Sequence, residues 1–198
     1  MKIKEVQDRL IKIADVMKEN KAYLQDLDRA IGDGDHGFNM DKGFSFVRED
    51  MKAEYKDFKD LFMKVSMDLI SKVGGASGPL YGTFFMKFAQ GLAGKDEMNK
   101  GDFTKAFKDG LDGVKQRGKA EIDEKTMIDV LEPVANALEE GKSFDDIVKL
   151  AEEKKDYTKE LIAKKGRASY LGERSVGHID PGAMSTYLII KTGLESLW

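Results

Sequence analysis

Asp28, Asp33 and Asp35 put three carboxylates within eight residues, interleaved with Gly32, Gly34 and Gly37 and joined by His36. Carboxylate oxygens are the hard donors that magnesium and calcium take, and glycines let a backbone fold tightly around an ion. The stretch buries almost nothing apolar and is a poor helix, although amphipathic runs flank it on both sides, so packing explains it badly. A calcium-binding EF-hand is excluded by counting. A twelve-residue loop begun at Asp28, Asp33 or Asp35 places Asn39, Phe44 or Phe46 where the bidentate glutamate must stand. Magnesium retains waters and commonly shares its shell with substrate phosphates, so the triad predicts a nucleotide close by.

Two further glycine-rich stretches offer partners for such a nucleotide. In Gly74-Gly75-Ala76-Ser77-Gly78-Pro79 the small residues precede a helix expected from about Leu80 to Leu92, with Pro79 in its first position and Ser77 or Gly78 as cap. A helix N-terminus presents free N–H groups and the positive end of a dipole, which suits a phosphate. Arg174 lies in the last glycine stretch, where it could clamp phosphate, and His178 follows it. Two apparent phosphate loops fail. Gly141-Lys142-Ser143 has Asn136 where a Walker loop needs glycine, and Gly94-Lys95 has Ala89 and Asp96 at the corresponding places.

The elements that must position these residues are helices. Ile3, Val6, Leu10, Ile13 and Met17 recur at helical spacing up to about Asn20, and Tyr23, Leu24 and Leu27 make a shorter turn that delivers Asp28. A helix is expected from Gly37 to about Tyr55, and another beginning at an Asp57 cap and carrying Phe58, Leu61, Phe62, Val65, Leu69 and Ile70. Asp102 is expected to cap the next. One from about Thr126 to Glu140 carries Pro133 inside it, which predicts a kink. Ser143 with Asp146 caps a long helix extending through Leu161 and Ile162, and the charges from Glu152 to Lys159 read as a solvated face. The last helix is expected to run to Trp198. With no alternating strand pattern, the expected fold is all-α, a single domain over residues 1–198.

Composition narrows the function. Lys and Arg total 33 against 36 Asp and Glu, without a basic tract, which speaks against nucleic acid as a partner. There is no cysteine, no run of membrane-spanning length and no apolar signal-peptide core at the start, so a cytoplasmic location without membrane attachment is expected.

Asp28-x4-Asp33-Gly34-Asp35-His36-Gly37, Gly75-Ala76-Ser77-Gly78, Lys125-Thr126-Met127-x-Asp129 and Asp180-Pro181-Gly182-Ala183 together resemble the ADP-binding L subunits of bacterial dihydroxyacetone kinases, over essentially the whole chain. The resemblance implies an antiparallel barrel of about eight amphipathic helices with the nucleotide at one end. It implies that Asp28, Asp33 and Asp35 hold two magnesium ions bridging the ADP phosphates, and that His36, Gly37, Phe38 and Asn39 with Ala76 and Ser77 meet those phosphates. Gly118 and Met127 are then expected on the adenine side, with Arg174, Asp180, Pro181 and Gly182 closing over ribose and phosphate and Arg174 acting as the catalytic cation. In the phosphotransferase-linked branch ADP is a retained coenzyme, turned into ATP in place by a phosphohistidine donor protein and spent on dihydroxyacetone held by a separate K subunit. The alternatives are a subunit of an ATP-dependent dihydroxyacetone kinase, the related module of fatty acid kinases, and a non-catalytic magnesium-nucleotide regulator.

Overall fold

Apolar residues at three- and four-residue spacing do form helices, and a computed structural model describes them over residues 1–195. Among the described residues there are nine α-helices and no named strand: α1 (Ile3–Glu19), α2 (Lys21–Ile31), α3 (His36–Asp50), α4 (Phe58–Lys72), α5 (Ser77–Gln90), α6 (Lys100–Gly118), α7 (Ile128–Glu139), α8 (Phe144–Tyr157) and α9 (Pro181–Leu194). Two 3-10 segments, Thr158–Glu160 and Arg167–Ser175, separate α8 from α9. The expected extension of the last helix to Trp198 lies outside the described residues.

Packing closes eight of the helices into a ring in the order α1, α3, α4, α5, α6, α7, α8, α9 and back to α1, while α2 lies against α3 and α9. This is the expected barrel of about eight helices. Each helix turns its apolar stripe inward, so one core takes Val6, Leu24, Phe44, Leu61, Phe85, Leu111, Val134, Ile147 and Ile190 from α1 to α9 in turn. Phe62, Phe84, Phe85, Phe88, Phe103 and Phe107 pack edge and face inside it, with the Phe62 and Phe88 centroids 4.7 Å apart.

Several helix limits differ from the sequence reading, each for a local reason. α3 stops at Asp50 rather than near Tyr55, whose hydroxyl donates to the Asp50 carbonyl at 2.8 Å and fastens the turn that follows. α5 starts at Ser77, so Pro79 is its third residue and Ala76 its cap. α6 is capped by Asn99; Asp102 is the third helical residue, and the two close a reciprocal capping box. The Asp57 and Ser143 caps stand as expected, each accepting from a backbone N–H three residues on.

α7 begins at Ile128, after a turn held by Asp129, and continues through Pro133. α8 ends at Tyr157, leaving Leu161 and Ile162 outside it, because the Thr158 hydroxyl donates back to the Lys155 carbonyl and the Thr158 carbonyl is taken by the Lys125 ammonium. The charged run before it is not wholly solvated: Lys155 is buried, paired with Asp156 at 2.8 Å and set over the Tyr187 ring.

Glycines of the second stretch serve helix packing as much as turn geometry. A Cβ on Gly78 would fall 2.3 Å from the Val73 carbonyl oxygen, and one on Gly82 2.2 Å from an Ile70 side-chain carbon. These contacts let α4 and α5 lie close together at the end of the barrel that carries the acidic turn.

Candidate functional site

A cleft of about 390 Å³ opens where the α2–α3 turn, the start of α5, the end of α6, the turn before α7 and the start of α9 converge. Its walls include Asp28, Asp33, Asp35, His36, Ala76, Ser77, Gly118, Met127, Asp180, Pro181 and Gly182, so eleven of the expected residues come together from separate parts of the chain. The volume lies in the range of small-ligand sites.

The acidic turn is built on Asp28. It sits in the last turn of α2, and its Oδ2 accepts the backbone N–H groups of Asp35 at 2.9 Å and His36 at 3.1 Å, capping α3 from across the turn. Gly32 permits this fold, since a Cβ there would lie 2.1 Å from Asp28 Oδ1. Asp33 and Asp35 are exposed, and one oxygen from each of the three carboxylates lies within 4.8 Å of the others. Like charges at such separation repel by roughly 1–4 kcal/mol per pair, depending on the local dielectric, which a divalent cation would reverse. Three hard oxygens on one side, open to a cleft on the other, fit magnesium with phosphate oxygens and water in its remaining positions.

Gly37 sets the seat of this turn. It does not line the cleft; a Cβ on it would fall 2.0 Å from the Lys21 carbonyl oxygen, because α3 crosses α2 backbone to backbone there. Neither backbone can yield cheaply. Gly37→Ala is therefore expected to cost about 1–3 kcal/mol and to pull Asp28 away from the α3 amides. Chemical denaturation checks the first effect, and a magnesium titration the second.

His36 joins three elements at the cleft floor: Nδ1 bonds Ser77 Oγ at 3.1 Å and Nε2 bonds Ser185 Oγ at 2.9 Å. Burial outweighs the neighbouring Asp35 charge and depresses its pKa to about 4, so the ring is neutral at pH 7 and both nitrogens are engaged. The network continues through Tyr81, whose hydroxyl lies 2.8 Å from both Ser185 Oγ and Thr186 Oγ1. Phe38 and Asn39 do not line the cleft: Phe38 is exposed beneath the Lys21 ammonium, and Asn39 is buried against Gly74.

At the start of α9 Asp180 Oδ2 accepts the Ala183 N–H at 2.7 Å, capping the helix with Pro181 in its first turn. Burial, together with the charges of Asp129 and Asp28, pushes its carboxyl up to about 7, against the pull of the Ala183 amide and Lys125. Arg174 is exposed and is not among the cleft residues. Arg167, seven residues earlier in the same 3-10 segment, lines the cleft and reaches Asp33, with Nη2 at 2.9 Å from Oδ2. The cleft also contains Lys125. Glycine on the N-terminal side of Arg167 and the Lys125-Thr126-Met127 motif were the signals available for these two.

The profile of the DAK2 domain matches residues 30–195. The chain belongs to the DAK2 domain family. It is 49% identical over 181 residues to the ADP-binding subunit DhaL of PEP-dependent dihydroxyacetone kinase 1 from Listeria innocua, covering 91% of this chain and 89% of that one. Identity is 41% over 196 residues to the ADP-binding subunit DhaL of the PEP-dependent kinase of Escherichia coli, covering 94% and 93%. The fold of this DAK2 domain is shared with the dihydroxyacetone kinase of C. freundii solved in complex with AMP-PNP and Mg2+. That match has a TM-score of 0.77 at 23% identity, over 97% of this chain and 34% of the longer one.

Proposed function

We propose that this DAK2 domain is the ADP-binding subunit of a PEP-dependent dihydroxyacetone kinase, acting as a single nucleotide-binding domain over residues 1–198. The observation that carries the reading is the clustered Asp28, Asp33 and Asp35 carboxylates on the lip of a cleft that α5 enters by its N-terminus. The relatives named as ADP-binding subunits, matched over nearly their full length, support it.

When bound, magnesium-ADP supplies the phosphoryl relay between a phosphohistidine donor protein and dihydroxyacetone on a K subunit. The chain's own residues bind and orient. Asp28, Asp33 and Asp35 would hold the metal, and two ions suit the charge: three carboxylates and a diphosphate sum to roughly −6, which one divalent ion leaves far from neutral. Ala76 and Ser77 offer α5 backbone N–H groups to phosphate, while Gly118 and Met127, the latter beside Gly182, form the base-side wall with Asp180 and Pro181 nearby. To Arg167, which lines the cleft beside Asp33, we assign the neutralisation of charge on the transferred group that the resemblance gives to Arg174. Such a relay between phosphotransferase proteins belongs in the cytoplasm, and no helix of the described residues is long and apolar enough to cross a membrane.

ADP is expected to stabilise the protein only with magnesium present, since carboxylates and phosphates complete one another's coordination. At one hundred times the dissociation constant the gain is about 2.7 kcal/mol, or a rise in Tm of roughly 5–11 °C for a domain of this size. Thermal melts with ADP, with and without magnesium, check it; equal shifts would contradict the bridging role of the triad.

A further inference from the structure

We propose that Lys125 is a positioning residue that fixes the base-side wall of the cleft by tying three loops into one knot, an inference that rests on the nucleotide reading above. The Lys125 side chain is almost fully buried, with 1% exposure, yet its ammonium meets carbonyl oxygens rather than a carboxylate. It donates to the Thr158 carbonyl, just past α8, and to the His178 carbonyl at 2.5 Å, just before α9. Thr158 Oγ1 in turn accepts the backbone N–H of Asp180 at 3.0 Å. One ammonium thus links the turn that carries Met127 to the segment that carries Asp180, Pro181 and Gly182.

The turn itself is held by the opposite charge. Asp129, also buried, accepts the backbone N–H of Asp123 at 2.5 Å and of Thr126 at 2.6 Å. Lys125 and Asp129 therefore act as complementary surrogates for backbone: one satisfies orphan carbonyls, the other orphan amides. Lys125 has φ +60°, a left-handed conformation that glycine adopts without strain. A lysine there is strained and its charge is desolvated, and both costs are offset only by what its side chain holds. Its bonds join loops at the cleft and no two core helices, so their loss should alter the shape of the base-side wall more than the barrel. The acidic turn is held by bonds of its own, Asp28 to the α3 amides and His36 to Ser77, and it meets α9 at Ser185, inside the helix rather than in the knotted loop.

The test compares Lys125→Met, which keeps the side-chain length without the charge, with Lys125→Gly, which also relieves the backbone. Titration calorimetry in saturating magnesium measures ADP and pyrophosphate on each, and circular dichroism reports the fold. Loss of charged hydrogen bonds that orient the base-side wall is expected to weaken ADP roughly tenfold or more in both variants, while pyrophosphate changes less than about twofold. Unchanged ADP affinity in folded variants overturns the proposal. So does an equal loss of both ligands, which would put Lys125 on the phosphates, or unfolding of both variants, which would give it a fold-wide role. A wild-type site blind to pyrophosphate also counts against it, because the phosphate side is then not an independent unit. Wild-type protein that binds neither ligand refutes the nucleotide reading itself, before Lys125 is in question.

Discussion

Incubated alone with magnesium, ATP and dihydroxyacetone, the purified chain is expected to form no dihydroxyacetone phosphate; turnover begins when a K subunit and a phosphorylated donor protein are added. The cleft has its walls committed to nucleotide and metal, and two further cavities of the described residues are unsuited to the acceptor. The groove between α1, α8 and α9 is lined by Lys191 to Glu195 at the far end of α9, and ten residues of helix separate Lys191 from Pro181, roughly 15 Å. That is too far for in-line transfer. A cavity among Phe62, Phe84, Phe85 and Phe88 is apolar and suits no small polyol. His36 is poorly placed to store the phosphoryl group itself, since both its nitrogens are engaged. In the reconstituted mixture ADP should be needed only in amounts comparable to the protein. Triose phosphate formed by the chain alone, or a requirement for stoichiometric ATP in the full mixture, would contradict this and point to an ATP-dependent kinase.

Asp35→Asn is expected to leave the fold intact while lowering magnesium-ADP affinity, and turnover in the reconstituted mixture, by roughly 100-fold or more. Asp35 is exposed and makes no side-chain cap to α3, so its carboxylate contributes to the metal cluster and little to stability. Its loss costs no stability: with the repulsion among the three carboxylates relieved, the metal-free variant should be as stable as wild type or more so. Asp28 provides the contrast. Because its Oδ2 caps α3 through two backbone N–H groups, Asp28→Ala should lose the nucleotide and also about 1–2 kcal/mol of stability. Denaturant unfolding and an ADP titration on both variants separate the two roles. Unchanged ADP affinity in Asp35→Asn would move the metal away from this turn, and equal stability loss in both would remove the structural asymmetry between the two aspartates.

The acidic triad was legible in the sequence because it is local. Eight consecutive residues carry the three carboxylates and most of the glycines that bend the chain, so the turn needs little from elsewhere to be recognised. The helices were legible for a similar reason: Val6, Leu10, Ile13 and Met17, or Phe58, Leu61, Phe62 and Val65, carry the 3.6-residue period in their own spacing. Their ends were less so. Asn99 and Asp102 are both good caps, and which of them starts α6 is decided by the reciprocal bonds they form once the chain is folded.

What tertiary structure alone decided is which distant residues face the cleft. Arg167 and Arg174 are equivalent in sequence terms, two arginines in a glycine-rich stretch, but the 3-10 path brings the first to Asp33 and leaves the second in solvent. Gly37, Gly78 and Gly82 stand at or near expected helix starts in the sequence; helix crossings make them points of closest approach. Lys125 opens a motif of the sequence without a role attached to it, until Thr158 and His178, 33 and 53 residues away, supply their carbonyls. Periodicity and loop composition are written in neighbouring residues. The burial of a charge and the reach of a side chain depend on how the ring closes, and no short stretch of sequence carries that closure.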